Sequence, residues 1–493
     1  MPTGPARNTG PARYGTANGA GADAGARQWP AGALEQLAQG HQLSLARAFD
    51  AAEACFRDVI VLAPDWPMAH NNLAWIWQAQ GRNEEAVAGY NRALQLDPAL
   101  ELAQANLAFL LANLYFFLGK FADAHAMWRF LAGLYPEDAQ VLDKLVGTAL
   151  RLNALAEAGQ WAARHAALTR GSNYHALLGN AAVAPPVPMP APALTRGKLQ
   201  HDLEQYRHLR GQGLLGGEFD AIIDAHADAL TRLDASGGAG TGTAAHDALY
   251  AVAEIRNSYG RIVHHYPAPA IAGSAVAPSD ALLRAESEYL LSKLGIVVID
   301  DFLAPAALAE LQKFCRESTV WHSNSYSYDR LGAFFRDGFN CPLLLQIAEE
   351  IQRVFPNVIG EKHPLLQMWG YKYRHDQPAT HPHADFAAVN VNFWITPDDA
   401  KLDGESGGLV IYDVEAPLAW EFDAYNRQGD RIAAFLKASG AASIVIPYRC
   451  NRAIIFNSDL FHATAPLAFR PGYLNQRVNI TMLYGEREAG RTA

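Results

Sequence analysis

Three side chains of this sequence have the types and spacing to hold a metal ion. His383 and Asp385 stand two positions apart. On an extended strand both would emerge on one face, because side chains alternate. His462, far downstream, supplies a second imidazole just past a buried apolar run. Two histidines and a carboxylate on one side of a metal leave positions open for reactants. These ligands alone suit iron, zinc or manganese, since the intrinsic affinity order does not favour iron. Arg477 could hold the carboxylate of an organic acid bound at the open positions, because a guanidinium matches a carboxylate in two-point geometry. Other histidines fit less well. His381 is four positions from Asp385, about 13 Å along a strand, too far to share an ion. His322, His363 and His375 lack a carboxylate partner at the right spacing.

Short strands separated by turns must position these groups. Gly295 to Asp300 reads as a β-branched strand, and Ala306 to Glu317 as an amphipathic helix behind it. After Pro364 the strand candidates are Leu366 to Arg374, Ala388 to Ile395, Gly408 to Tyr412, Ala442 to Pro447, Ala453 to Phe456 and Gln476 to Tyr484. Tyr371 and Tyr373 share a face of the first, and Asn390, Asn392 and Trp394 a face of the second. Arg477, Asn479 and Thr481 share a face of the last. Arg470 competes with Arg477 as the acid anchor, but it precedes Pro471-Gly472 and reads as a loop residue. This density of strands and turns predicts a barrel or sandwich.

The order of these features, from about Gly295 to Arg487, resembles the Fe(II)- and 2-oxoglutarate-dependent dioxygenase superfamily. The resemblance rests on His383-Ala-Asp385, the Gly407-Gly408 turn, His462 and Arg477. It implies a double-stranded β-helix, a jelly-roll barrel with flanking helices. It also implies that His383, Asp385 and His462 bind Fe(II), and that Arg477 binds the far carboxylate of 2-oxoglutarate. Tyr371, Tyr373, Asn392 and Asn479 would line the co-substrate pocket. The reaction implied consumes O2 and 2-oxoglutarate, yields succinate and CO2, and hydroxylates a C–H bond.

The first half is Ala- and Leu-rich with helical periodicity. Pro64 and Pro98 are 34 residues apart, and Pro98 and Pro136 are 38 apart. Gly81 and Gly119 each precede a proline by seventeen residues. Between them recur Ala86 and Ala124, then Tyr90 and Trp128. Ala52 and Phe56 hold the matching offsets before Pro64, and Asn153 and Ala158 continue the register. Glycine suits a left-handed turn between helices, alanine a close crossing, the aromatic the gap, and proline the helix end. From about Ser44 to Arg170 this resembles the tetratricopeptide repeat. The four extra residues near Asn113 to Phe116 should lengthen a helix or its turn. Such solenoids bind peptide or protein segments in a concave groove, so a protein or peptide partner is expected. Asn71, Asn72, Trp75 and Asn106 are candidates to face that groove.

The expected layout is a tail (1–32), an all-α repeat solenoid (33–171), a Pro-rich linker (172–194) and a helical adapter (195–280). The barrel domain (281–488) and a short tail (489–493) follow. A formal charge of −10 and no Lys/Arg-rich patch argue against nucleic acid. The longest apolar runs, such as Phe109 to Leu118, are too short to span a bilayer. Four scattered cysteines without a CxxC pair fit a reducing compartment, and the first 30 residues lack a secretory apolar core, so a cytoplasmic location is expected. The leading reading is a hydroxylase acting on a protein or peptide presented by the repeats. The alternatives are a small-metabolite hydroxylase whose repeats serve assembly, and a binding scaffold with an inactive barrel.

Overall fold

The computed structural model describes residues 28–171, 193–235 and 248–487. The N-terminal tail before residue 28, most of the Pro-rich linker, the Gly-rich stretch around Gly237 to Thr243 and the last six residues lie outside them. The chain forms two compact units, Met1–Thr148 and Ala149–Ala493.

In the first unit antiparallel helix pairs follow one another: α1 (Ala31–Leu45) and α2 (Phe49–Leu62), α3 (Pro67–Ala79) and α4 (Asn83–Leu96), α5 (Glu101–Phe117) and α6 (Phe121–Leu134). The turns within these pairs sit at Arg47, Gly81 and Gly119, with φ of 61°, 80° and 71°. Gly81 and Gly119 supply that left-handed conformation without the Cβ clash other residues incur. Ala52, Ala86 and Ala124 are fully buried where helices cross, and Phe56, Tyr90 and Trp128 fill the gaps beside them. The four-residue insertion lengthens α5 to 17 residues against 13 for α3. Asn71, Asn72 and Asn106 do not line an open groove. They are 0%, 0% and 1% exposed and bonded to one another: Asn71 Nδ2 donates to Asn72 Oδ1 at 3.1 Å and Asn106 Nδ2 to Asn71 Oδ1 at 3.0 Å. Trp75 is buried with them. Mutual hydrogen bonds offset part of the cost of burying amides, which a reading based on their polarity missed.

The second unit opens with the end of α7 (Ala139–Arg151) and helix α8 (Leu155–Arg170), followed by α9 (Arg196–Gly211) and α10 (Asp220–Ala235). The barrel strands are β1 (Ile296–Ile299), β2 (Leu331–Phe334), β3 (Leu365–Tyr373), β4 (Asp376–Gln377), β5 (Ala387–Trp394), β6 (Leu409–Glu415), β7 (Ser443–Ile446), β8 (Ala453–Asn457), β9 (Leu460–Thr464), β10 (Leu467–Ala468) and β11 (Arg477–Glu486). They make a six-stranded sheet in the order β1-β8-β5-β11-β3-β2, a three-stranded sheet β7-β6-β9 and the pair β10-β4. Every pairing is antiparallel. The two larger sheets share one core: Tyr373, Trp394, Ile454 and Phe456 from one, Leu409, Ile411, Ile446 and Leu460 from the other. This is a jelly-roll barrel. Helices Pro305–Glu317 and Pro342–Val354 flank it. Gln312 Nε2 donates to Ile395 O at 2.7 Å, and Tyr484 Oη to Ala348 O at 3.1 Å.

Strand bounds match the expected ones to within a few residues, with two differences near the site. His462 lies past β8, as expected, but inside a further strand, β9. Strand β2 was not foreseen, because Leu331–Phe334 is short and apolar throughout and shows no alternation.

Candidate metal centre

Pairing of β9 with the loop before β5 brings the three ligand candidates together. His383 N donates to His462 O at 3.0 Å and His462 N to His383 O at 2.8 Å, so the two histidines sit opposite one another and their rings lie 4.6 Å apart. Asp385 N donates to Ser458 O at 3.2 Å. The ligand atoms of His383, Asp385 and His462 all lie within 4.8 Å of one another, and His462 Nε2 is 3.5 Å from Asp385 Oδ2. Among the described residues this is the group of histidines and carboxylates able to hold an ion.

Each ligand is oriented from behind. His383 Nδ1 is 3.2 Å from His381 O, and His462 Nδ1 is 3.0 Å from Leu460 O. A carbonyl at Nδ1 fixes the proton there and leaves Nε2 with a lone pair for a metal. Asn390 Nδ2 donates to Asp385 Oδ2 at 2.7 Å. Burial, then the neighbouring His462, push the His383 pKa down to about 4, so its ring is neutral at pH 7. Burial works to raise the Asp385 pKa, but the imidazoles of His462 and His383 beside it and the Asn390 amide outweigh it and hold the pKa below the ordinary carboxylate value. Both are then in the form that binds metal. His381 is exposed, and its side chain is not among the converging ligands.

Deeper in the barrel, the inner wall is polar and buried. From Asn390 the ladder continues through Asn392, whose Oδ1 accepts from Asn479 Nδ2 at 2.9 Å and Thr481 Oγ1 at 2.7 Å. Arg477 is 1% exposed. Its Nε donates to Gly407 O at 2.6 Å, and its guanidinium lies 4.8 Å from the Tyr373 ring centroid and 5.4 Å from that of Trp394. Its Nη1 has no hydrogen-bond partner. Burial pulls its pKa below the ordinary value, and it remains a cation at neutral pH. Arg470, by contrast, is exposed on a loop. Tyr373 Oη is 3.3 Å from Thr464 Oγ1, and Tyr371 Oη donates to Tyr326 Oη at 3.3 Å. All eight residues singled out in the sequence therefore belong to one barrel interior.

A further cation, Arg330, was not singled out. It immediately precedes β2, and its guanidinium lies 4.5 Å from the Tyr326 ring centroid, 4.6 Å from Tyr371 and 5.7 Å from Tyr373. Its charge is felt at His383, whose proton affinity it helps to lower. No spacing rule links it to the ligands; only the pairing of β2 with β3 places it there.

Residues 67–100 and 109–173 match tetratricopeptide repeat family models, and the N-terminal helices are tetratricopeptide repeats. No curated protein matches the chain. Similar solved structures include a Pseudomonas putida prolyl-4-hydroxylase, at 12% identity over 42% of this chain and 100% of that one, with a TM-score of 0.29. Another is the non-haem α-ketoglutarate-dependent epimerase SnoN from nogalamycin biosynthesis, at 14% identity over 42% of this chain and 83% of that one, TM-score 0.30. A third is YrrB, a TPR protein with an unusual peptide-binding site, at 15% identity over 26% of this chain and 63% of that one, TM-score 0.22.

Proposed function

We propose that the barrel is an Fe(II)- and 2-oxoglutarate-dependent oxygenase that hydroxylates a C–H bond, and that its substrate is a protein or peptide side chain brought to it by the repeats. One observation carries the reading: inside the same barrel that gathers His383, Asp385 and His462 lies a buried guanidinium, Arg477, with an unpartnered Nη1. A buried cation without a carboxylate opposite it is costly, by several kcal/mol, and a bound dicarboxylic acid would remove that cost. The donor set fits a divalent metal with open positions. Only the added acid anchor favours iron with 2-oxoglutarate over zinc or manganese.

When bound, Fe(II) would supply O2 activation, with O2 as the oxidant and 2-oxoglutarate giving up two electrons as it becomes succinate and CO2. The chain's part is orientation and exclusion of water. His383 and His462 would present Nε2, and Asp385 a carboxylate oxygen, its Oδ2 steadied by Asn390. Arg477 would receive the far carboxylate in a charge-assisted pair. Tyr371, Tyr373, Asn392 and Asn479 line the same wall and keep the acid from bulk water. The four cysteines are all unpaired, which supports the proposed cytoplasmic location. Among the described residues no helix is long and apolar enough to cross a membrane.

The test is succinate formation from 2-oxoglutarate with added Fe(II). Wild type should turn over, and His383→Ala, Asp385→Ala and His462→Ala should each lose at least about a hundredfold, more than loss of an outer partner of a ligand usually costs. Persistent turnover in any of the three sinks the assignment. A small-metabolite substrate, with the repeats serving assembly, is the second reading. Burial of Asn71, Asn72 and Asn106 favours it, since it takes away polar groups expected to meet a peptide. A peptide that gains one oxygen in a cell extract, read by mass spectrometry, would decide for the first reading.

A further inference from the structure

Arg330 is held in the barrel by an unusual turn. The two residues before it, Tyr328 and Asp329, both have φ of 58°, a left-handed conformation that is strained for a non-glycine residue. Surrounding residues enforce it. Gln377 Nε2 donates to Tyr328 O at 2.7 Å, and Arg374 Nη1 reaches Asp329 Oδ2 at 3.2 Å. Asp329 also packs on Gly197 of α9 so closely that a Cβ there would lie 2.2 Å from it. Asp329, the nearest carboxylate in sequence, is thereby committed to Arg374 and not to Arg330. Arg330 Nε has no hydrogen-bond partner. Tyrosines surround the guanidinium: the rings of Tyr326, Tyr371 and Tyr373 all lie within 5.7 Å of it. Among the described residues no carboxylate pairs with it.

A count of charge shows what is missing. If the barrel holds a divalent metal and 2-oxoglutarate, the metal's two positive charges face three negative ones, from Asp385 and the two carboxylates of the acid. Arg477 cancels the remaining negative charge. Arg330 is then a partly buried cation in excess, on the wall that carries Tyr371 and Tyr373. Burying such a charge unpaired is unfavourable, and a strained turn is an unexpected means of doing so unless the charge is used. We propose that Arg330 is a specificity-determining residue that receives a carboxylate of the substrate, so the oxygenase acts on an acidic group: an Asp or Glu side chain of a peptide, or an organic acid. The inference rests on the oxygenase reading above.

The test uses the full chain with Mn(II), without O2, and reads binding rather than turnover. Calorimetry gives the affinity for 2-oxoglutarate. With that site saturated, saturation-transfer NMR gives the affinity for acetate, inorganic phosphate, acetamide and N-acetyl-Ala-Asp-Ala-amide. Wild type should bind acetate or the Asp peptide and not acetamide; preference for the peptide over acetate identifies a protein source, and the reverse an organic acid. Arg330→Gln should weaken carboxylate binding at least about tenfold, the loss of a charge-assisted pair, and leave 2-oxoglutarate affinity within about threefold. Arg477→Gln should do the converse, and Arg330→Lys, which keeps the charge in the same fold, should recover part of the loss. Three results overturn the inference: no carboxylate binding by wild type, equal binding by wild type and Arg330→Gln, or an Arg330→Gln defect confined to 2-oxoglutarate. Preference for phosphate over both carboxylates overturns the assigned class. Failure of wild type to bind 2-oxoglutarate at all would instead sink the oxygenase reading.

Discussion

The helix crossings of the repeats and the inner wall of the barrel are both closed to solvent, yet they bury opposite kinds of side chain. At the crossings stand Ala52, Ala86, Ala124, Phe56, Tyr90 and Trp128, each fully buried. On the barrel wall stand Asp385, Asn390, Asn392, Arg477, Asn479 and Thr481, each less than a tenth exposed. An apolar group gains free energy on burial. A polar group loses about 1–3 kcal/mol unless a hydrogen bond offsets it. The repeats thus carry residues that only stability requires, whereas the barrel keeps residues that stability alone would replace. If this difference is real, damage to the two regions should separate into loss of folding and loss of binding.

The largest expected effect is on the repeats. Trp128→Ala removes a fully buried ring that meets Phe109 edge-on at 5.4 Å, and should cost about 3–5 kcal/mol of stability in urea unfolding. Metal affinity of the protein that remains folded should not change. A drop in that affinity would break the separation of the two regions.

The next effect is on the barrel and has the opposite character. Asn390→Ala removes the amide that holds Asp385 Oδ2. Metal affinity should fall about 10–100-fold, as it does when the outer partner of a ligand is lost. Thermal stability should fall far less than in Trp128→Ala. The reverse ranking would mean that the polar ladder is a packing device and not a support for the metal ligands.

The same contrast explains how much could be read from the sequence. A repeat states each packing rule several times, so Gly81, Gly119 and their partners could be aligned without knowing any contact. Ligands at a two-residue spacing are legible because extended backbone puts them on one face, here in the loop before β5, and Arg477 was legible because β11 alternates. What failed were features that depend on partners distant in sequence. Asn71, Asn72 and Asn106 read as groove residues because their polarity was visible and their mutual hydrogen bonds were not. Arg330 was overlooked because its surroundings come from three separate segments and from a left-handed turn at Tyr328-Asp329, where Asp329 suits such a conformation but Tyr328 gives no turn signal. Strand β9, which carries His462, was missed because Asn457-Ser458-Asp459 reads as the end of β8 and not as a turn into another strand.

The smallest expected effect concerns the outer face of β3, where Lys372 lies between the two inward tyrosines. It is 4% exposed. Its Nζ donates to Cys315 O at 3.1 Å and faces His201 Nε2 at 3.2 Å, the Tyr473 hydroxyl at 3.4 Å and the Trp321 ring at 4.4 Å. His201 is bonded in turn to Asp202, which pairs with Lys198. Burial, with the charges of Arg316 and Lys198, pulls the Lys372 pKa down to about 7, although Cys315 and Asp202 act the other way. In the unfolded chain the group keeps its ordinary value, near 10.4. Between these two values the unfolded state binds the extra proton, so stability rises with pH across that window, by at most about 1.4 kcal/mol per unit. Below pH 7 both states are protonated and the penalty on the folded state is complete. Lys372→Met should therefore flatten the difference in urea stability between pH 7 and 9.5. If wild type and variant keep the same pH slope, Lys372 stays charged through its partners, and the outer face, like the inner one, tolerates a buried cation.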